Sequence, residues 1–329
     1  MLKRARRAAV ILAAAGFLAA GLPAAATATA TAAPAARALA ARTAAAARGG
    51  TGRAATAVSG PARIRARGAE LLNASTGRRL WSRNRDRRRP MGSITKVMTA
   101  LVVIRAGHLN RQIKITKAIR AYIRRHADAS SAGLRTGDLL TARQLIEGML
   151  LPSGCDAALA LAKAYGPGRA AFVRKMNATA RRLGMLHTHF ANFDGMPLPT
   201  ERSTYSTPGD LITLGRAAMQ LTPFRRIVHQ RSHDVAPTAG HHGYRWKSTN
   251  LLLGSYPGTI GIKTGSTAAA GYCLLFETAG GNGTVLIGVV LHSTTTDPMA
   301  RFTAATRLLN WGFRTSVARP LRPTGPLRE

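Results

Sequence analysis

Ser93-Ile-Thr-Lys96 sets a hydroxyl and an amine three residues apart, the separation at which one helical turn brings two side chains onto the same face. A serine hydroxyl is a poor nucleophile until a base takes its proton, and a lysine can act as that base only where burial or a neighbouring positive charge lowers its pKa. Lys263-Thr264-Gly265 supplies a second lysine, a candidate for the cationic neighbour, and Ser153-Gly-Cys155 lies between the two in the chain. Ser-x-x-Lys alone is weak evidence. Three short motifs in this order point to attack of Ser93 on an acyl carbonyl, an ester intermediate, and its later hydrolysis. Gly92 before the serine and Gly265 after Lys263-Thr264 leave room for the close backbone approach that an oxyanion hole of N–H groups requires.

Positioning these residues takes a sheet and a set of helices. Arg67 to Ser82 reads as a hairpin around the Asn73-Ala-Ser-Thr-Gly77 turn. A helix starts at Ser93 and shows an apolar face of Val97, Met98, Leu101, Val102 and Ile104. Further helices are expected at Lys117 to His126, Ala142 to Leu150, Cys155 to Ala164, Gly168 to Leu183 and Pro208 to Leu221. Strand character returns at Gly258 to Lys263, Gly271 to Glu277 and Thr284 to Leu291, before a last helix from Pro298 to Trp311. Strands at both ends of a helical middle predict an α+β fold: an antiparallel sheet flanked by helices plus an all-helical lobe, with the active site in the cleft between them.

The 329 residues, 46% of them apolar, are ample for a buried core. Residues 1–26 combine Lys3, Arg4, Arg6 and Arg7 with an apolar run ending in small residues, as in an export signal or an uncleaved anchor. Residues 27–62 are almost only Ala, Thr, Pro, Gly and Arg, a composition expected to stay disordered and to act as a tether of roughly 35 Å. The catalytic domain is placed at 63–315 and a basic tail at 316–329. The formal charge is +35, with only four of the basic residues in the leader and four in the tether. Outside the cytoplasm such a surface suits anionic wall polymers or a membrane surface. Aromatics at 5% and the lack of a reading motif argue against nucleic acid. Genomic preference for arginine is an alternative source of the charge. Cys155 and Cys273 are expected to stay unpaired although export would permit a disulfide, Cys273 as a small core residue.

The chain resembles the D-alanyl-D-alanine carboxypeptidases, the low-molecular-mass penicillin-binding proteins, over about residues 64 to 315. The resemblance rests on Ser93-Ile-Thr-Lys-Val-Met-Thr-Ala100, Leu151-Pro-Ser-Gly-Cys-Asp-Ala-Ala158, Asn192-Phe-Asp-Gly195, Tyr205-Ser-Thr207 with Asp210-Leu211, Thr249-Asn-Leu-Leu252, Gly261-Ile-Lys-Thr-Gly265 with Ala270-Gly-Tyr272, and Trp311-Gly-Phe313. It implies a β-lactamase/transpeptidase-like fold, removal of the terminal D-alanine from peptidoglycan pentapeptide stems, and inhibition by β-lactams. It also implies Ser93 as nucleophile, Lys96 as general base, Ser153 as proton relay, and Lys263-Thr264 with Arg301 as the seat of the substrate carboxylate. The oxyanion hole would use the N–H groups of Ser93 and Ser266. No cofactor or metal is implied.

Cys155 departs from the family, which usually has asparagine at this position. A thiol is only a weak donor and acceptor. Either Ser153 and the backbone suffice for catalysis, or the protein is an impaired enzyme that mainly binds wall peptide or β-lactam. A sharper expectation is that two nearby lysines lower the Cys155 pKa and make it a thiolate or an oxidisable switch. D,D-endopeptidase action on cross-links breaks the same kind of bond and stays open. A class A β-lactamase would need a deacylating glutamate, and the region after the second motif offers only Asp194 and Glu201. His187, His189, His241 and His242 lack a zinc-binding pattern, and Glu147, Asp156 and Asp210 are expected to cap or brace helices.

Overall fold

The computed structural model describes residues 60–317; the leader, all but the last three residues of the tether, and the tail from 318 onward lie outside them. The first hairpin joins β1 (Gly68–Asn73) to β2 (Arg79–Arg83). A short 3-10 turn (Gly92–Ile94) then runs directly into α1 (Thr95–Ala106), so Ser93 stands on the turn and Lys96 in the first turn of the helix. The helical region follows as β3 (Gln112–Lys114), α2 (Lys117–Arg125), β4 (Leu139–Thr141), α3 (Ala142–Leu150), α4 (Cys155–Tyr165), α5 (Arg169–Arg182), α6 (Pro208–Met219) and α7 (Thr222–Val228). A second small hairpin, β5 (Ser232–Val235) with β6 (Tyr244–Lys247), and α8 (Leu252–Ser255) lead back to the sheet through β7 (Thr259–Thr267), β8 (Gly271–Ala279) and β9 (Val285–Leu291). The chain then forms α9 (Ala300–Val317).

The two ends of the chain build one antiparallel sheet in the order β2-β1-β9-β8-β7. Side chains alternate across a strand, and both faces of this sheet are covered, so its central strands are apolar on both sides. Ala69, Leu71, Leu274, Phe276, Leu286 and Val290 join Phe302, Ala305, Leu308 and Leu309 of α9 in one cluster. Leu72, Leu275, Ile287, Val289 and Leu291 point the other way, into the cluster that contains α6 and the helical region. Gly288 faces Phe276 across the β8–β9 pair, and a Cβ there would reach 2.3 Å from the ring. The missing side chain is what leaves room for the ring beside the Gly288 backbone.

The expected α+β arrangement is present, with three differences in detail. α1 is buried all round from Thr95 to Val103 rather than along one face, because α3, α4, α5, α6 and α7 pack about it. The last helix continues six residues past Trp311 to Val317, so the first residues assigned to a tail are helical. The hairpins β3–β4 and β5–β6 and helix α7 were not legible as elements: the strands are three or four residues long, too short for a period to register.

Candidate active site

Four backbone segments meet at the cleft, and glycines allow the meeting. Gly92 has φ +55, a left-handed conformation open to glycine, and a Cβ there would stand 2.6 Å from the Ser266 nitrogen. Gly265 brings β7 against the turn that carries Ser93, where a Cβ would lie 2.3 Å from the Met91 oxygen. Gly195, at φ +83, brings the 192–196 loop so close that a Cβ would lie 2.0 Å from the Gly92 oxygen. Ser93 is thus enclosed by β7 on one side and by the Asn192–Gly195 turn on the other.

Within this enclosure the buried Lys96 donates from Nζ to Ser93 Oγ at 2.7 Å and to the main-chain oxygen of Asp194 at 2.8 Å. Its remaining direction meets the thiol of Cys155. Asp194 is itself fully buried; its carboxylate accepts from Tyr122 Oη at 2.8 Å and from the Met196 N–H at 3.1 Å. Asn192 ties the same turn by donating to the Met196 and Leu198 oxygens and accepting from the Gly195 N–H. Neither Tyr122 nor the turn's hold on Lys96 emerged from the sequence. The Asn192-Phe-Asp-Gly195 motif marked the turn without revealing which of its atoms works.

Ser153 sits two residues before α4 with φ +69, an uncommon conformation for a residue with a Cβ, and is 5% exposed. Its hydroxyl has no partner among the described residues, and the residue lines the cleft. Asp156 anchors this segment: its carboxylate accepts from Ser131 Oγ and from the Ala132, Leu134 and Ala157 N–H groups, holding the 130–134 loop on the N-terminus of α4. Glu147, in the preceding helix, pairs with His233 Nε2 at 3.0 Å, and Asp210 accepts from the His187 N–H and Thr188 Oγ1. These three acids brace the fold, as their positions in the sequence had suggested.

Two expectations about charge need correction. Cys155 is buried, and burial outweighs the neighbouring Lys96 charge and pushes the thiol up to about 12, so it is a neutral thiol and no thiolate. Lys263 is not a simple resident cation. Burial first, then the charges of Lys96 and Arg301, hold its amine well below the usual lysine range. Its Nζ donates to the Thr264 main-chain oxygen at 3.2 Å, and Thr264 Oγ1 shares a 2.6 Å hydrogen bond with Thr249 Oγ1. Arg301, in the first turn of α9, reaches the same end of the cleft: Nη1 lies 3.5 Å from the Gly265 oxygen and the guanidinium stands over the Tyr272 ring. Both cysteines are free and buried.

The cleft encloses about 390 Å³ and is lined by Ser93, Ser153, Cys155, Thr264, Gly265, Ser266 and Arg301. The exposed Asp128, Ser130 and Glu201 are also among its lining residues; Asp128 carried no signal in the sequence, and Glu201 only that of an acid after the second motif. Among the described residues no three His, Cys, Asp or Glu side chains cluster as metal ligands would. None of the described helices is long and apolar enough to cross a membrane.

A family profile described as D-alanyl-D-alanine carboxypeptidase matches residues 54–295. The chain is 43% identical over 271 residues to the D-alanyl-D-alanine carboxypeptidase of Streptomyces sp. (strain K15), covering 79% of this chain and 90% of that one. It is 30% identical over 260 residues to DacF of Bacillus subtilis (strain 168), covering 78% of this chain and 64% of that longer one. Among solved structures, the Streptomyces K15 DD-transpeptidase superposes with a TM-score of 0.72 at 41% identity, over 78% of this chain and all of that one. A penicillin-binding protein homologue from Mycobacterium tuberculosis gives 0.69 at 31% identity, over 82% and 95%. Variants of the K15 enzyme have been solved that replace a serine and, two positions on, a cysteine, the spacing of Ser153 and Cys155 here.

Proposed function

The chain belongs to the D-alanyl-D-alanine carboxypeptidase family, a serine-type peptidase, and from that premise we propose how its cleft divides the work. Ser93 Oγ attacks the carbonyl of the penultimate D-alanine while Lys96 takes its proton. The backbone N–H groups of Ser93 and Ser266 face the developing oxyanion, a role in which one donor is typically worth about 100- to 1,000-fold in rate. Ser153 passes the proton to the leaving D-alanine amine as the C–N bond breaks, and water then cleaves the ester. Thr264, Lys263 and Arg301 receive the terminal carboxylate. An arriving carboxylate opposes that depression of Lys263, because a negative charge within a few ångströms favours the charged state.

The observation that carries this reading is the 2.7 Å contact between Lys96 Nζ and Ser93 Oγ, with the lysine fully buried and Ser153 lining the same cleft as Ser93. Mass spectrometry of residues 60–329 with benzylpenicillin, and D-alanine release from diacetyl-Lys-D-Ala-D-Ala, test it beside Ser93→Ala. Adduct and release are expected, both lost in the variant. An adduct without release would leave a penicillin-binding protein that is impaired as a peptidase.

A second fate of the acyl-enzyme, transfer to an amine in place of water, is favoured by the name and the serine–cysteine spacing of the K15 structures. Adding a glycine-type amine to the assay separates them: a transfer product in place of free acid would mark a transpeptidase. Export by residues 1–26 and retention on anionic wall polymer through exposed arginines such as Arg63, Arg65, Arg67, Arg87 and Arg88 fit the same envelope setting. Retention of that kind weakens steeply with salt, whereas acylation by a small penicillin does not.

A further inference from the structure

In a chain with 48 Lys and Arg and only 13 Asp and Glu, a carboxylate without a partner is unusual. Glu70, Asp86, Asp138, Glu147, Asp234 and Glu277 are ion-paired. Asp156, Asp194, Asp210 and Asp297 accept hydrogen bonds. Among the described residues, Asp128 and Glu201 are the two acids left with neither, and both line the cleft of Ser93. Both are exposed, so nothing in the fold requires a charge there.

Their placement gives the cleft two electrical ends. Arg301 and Thr264 come from the sheet side, where the substrate carboxylate is seated, whereas Asp128 follows α2 and Glu201 lies in the loop after the Asn192–Gly195 turn, both on the helical side. Ser153, nearly buried and without a side-chain partner among the described residues, lines the same cleft and leaves a hydroxyl there for a ligand to meet. Two extended residues span about 7 Å. The residue before D-Ala-D-Ala in a bound peptide can therefore direct a long side chain towards the acidic rim while its terminal carboxylate stays at Arg301.

We propose that Asp128 and Glu201 seat the side-chain ammonium of a diamino acid preceding D-Ala-D-Ala, so that the enzyme selects stem peptides whose side-chain amine is free. This rests on the carboxypeptidase reading above. A neutral or amidated side chain gains nothing at the rim, and a peptide whose amine is already cross-linked is disfavoured. Exposed charge pairs are individually weak and screened by salt, so the preference is several-fold and shrinks as salt rises.

The test compares Nα-acetyl-Lys-D-Ala-D-Ala, whose ε-ammonium is free, with the Nα,Nε-diacetyl peptide. Wild-type kcat/KM is expected to favour the free amine by about 5- to 20-fold at low ionic strength, falling towards 2-fold in 0.5 M NaCl. In Asp128→Asn/Glu201→Gln the ratio is expected to collapse to about 1, and formation of the penicillin adduct certifies that the double variant is folded. A wild-type ratio near 1, or a ratio that survives in the double variant, overturns the proposal. If neither peptide releases D-alanine, the carboxypeptidase reading fails separately. The same ratio is then read from how well each peptide slows acylation of Ser93 by benzylpenicillin, with the same two outcomes.

Discussion

Gly195→Ala is the substitution whose consequence the geometry fixes most tightly. An alanine Cβ would stand 2.0 Å from the Gly92 oxygen and 2.8 Å from Thr95 Oγ1, against a floor of about 3.0 Å for real Cβ contacts. One of the two backbones must move by roughly 1 Å, and both are positioned by the site: the first carries the acceptor for Lys96, the second the nucleophile. A left-handed φ of +83 adds about 1–2 kcal/mol for any residue with a Cβ, and forced repacking about 1–3 more. Loss of about 2–5 kcal/mol lowers Tm by about 5–15 °C in a domain of this size. A misplacement of 1 Å can cost about 100-fold in rate, so the second-order rate constant for acylation by benzylpenicillin should fall on that scale. Gly184→Ala is the control, with φ +74 and nothing within 4 Å of its Cβ; it should lower Tm modestly and leave acylation alone. Acylation by Gly195→Ala within about threefold of wild type, with a Tm no lower than that of Gly184→Ala, would refute the argument that this loop fixes the nucleophile.

Cys155→Asn restores an amide able to donate to substrate while still accepting from Lys96, and one such hydrogen bond is worth about 0.5–1.5 kcal/mol; kcat/KM for the D-Ala-D-Ala peptide should rise about 2- to 10-fold, and a fall would show that the thiol is a better fit than the amide. Iodoacetamide at pH 7 should leave Cys155 of the folded protein unmodified for hours, because a thiol pushed up to about 12 carries almost no thiolate; rapid labelling that blocks penicillin binding would sink that assignment. Burial raises Glu147 from 4.5 to about 7, so the folded state holds this proton more tightly than the unfolded chain and stability falls as pH climbs through that window. Urea melts at pH 5 and pH 8 should show Glu147→Gln losing less stability than wild type, by up to about 3 kcal/mol; equal losses would remove Glu147 as a source of the slope. Asp194→Asn turns one accepting oxygen into a donor that must face either Tyr122 Oη or the Met196 N–H, at about 1–3 kcal/mol; adding Tyr122→Phe should recover part of that in Tm, and strict additivity would argue that the two do not interact.

What the sequence made legible was set by distance along the chain. Ser93 and Lys96 are local to one turn, Lys263 to Ser266 are local to one strand, and hydrophobic period revealed the hairpin and the main helices that carry them. Contacts between distant segments left no such trace. Asp194 holds Lys96 across 98 residues, Tyr122 holds Asp194 across 72, and Asp138 accepts from His242 across 104, all through side chains or carbonyls whose residue types are unremarkable in a loop. Charge was harder still. Two lysines near one serine suggested an activated thiol and a standing cation, but burial is a property of the packed core and not of spacing, and it reversed the first inference and weakened the second.

The packed site also explains how a cysteine can stand at position 155, where the resemblance leads one to expect an asparagine. Lys96 Nζ is held beside the nucleophile by its bonds to Ser93 Oγ and to the Asp194 oxygen, neither of which involves residue 155, and the Cys155 sulfur only borders the amine. A thiolate there would place a full negative charge against the group proposed to take the Ser93 proton. Burial that keeps Cys155 neutral is thus the condition under which a weak acceptor suffices, and the part of asparagine that sulfur does not replace is its donor towards substrate.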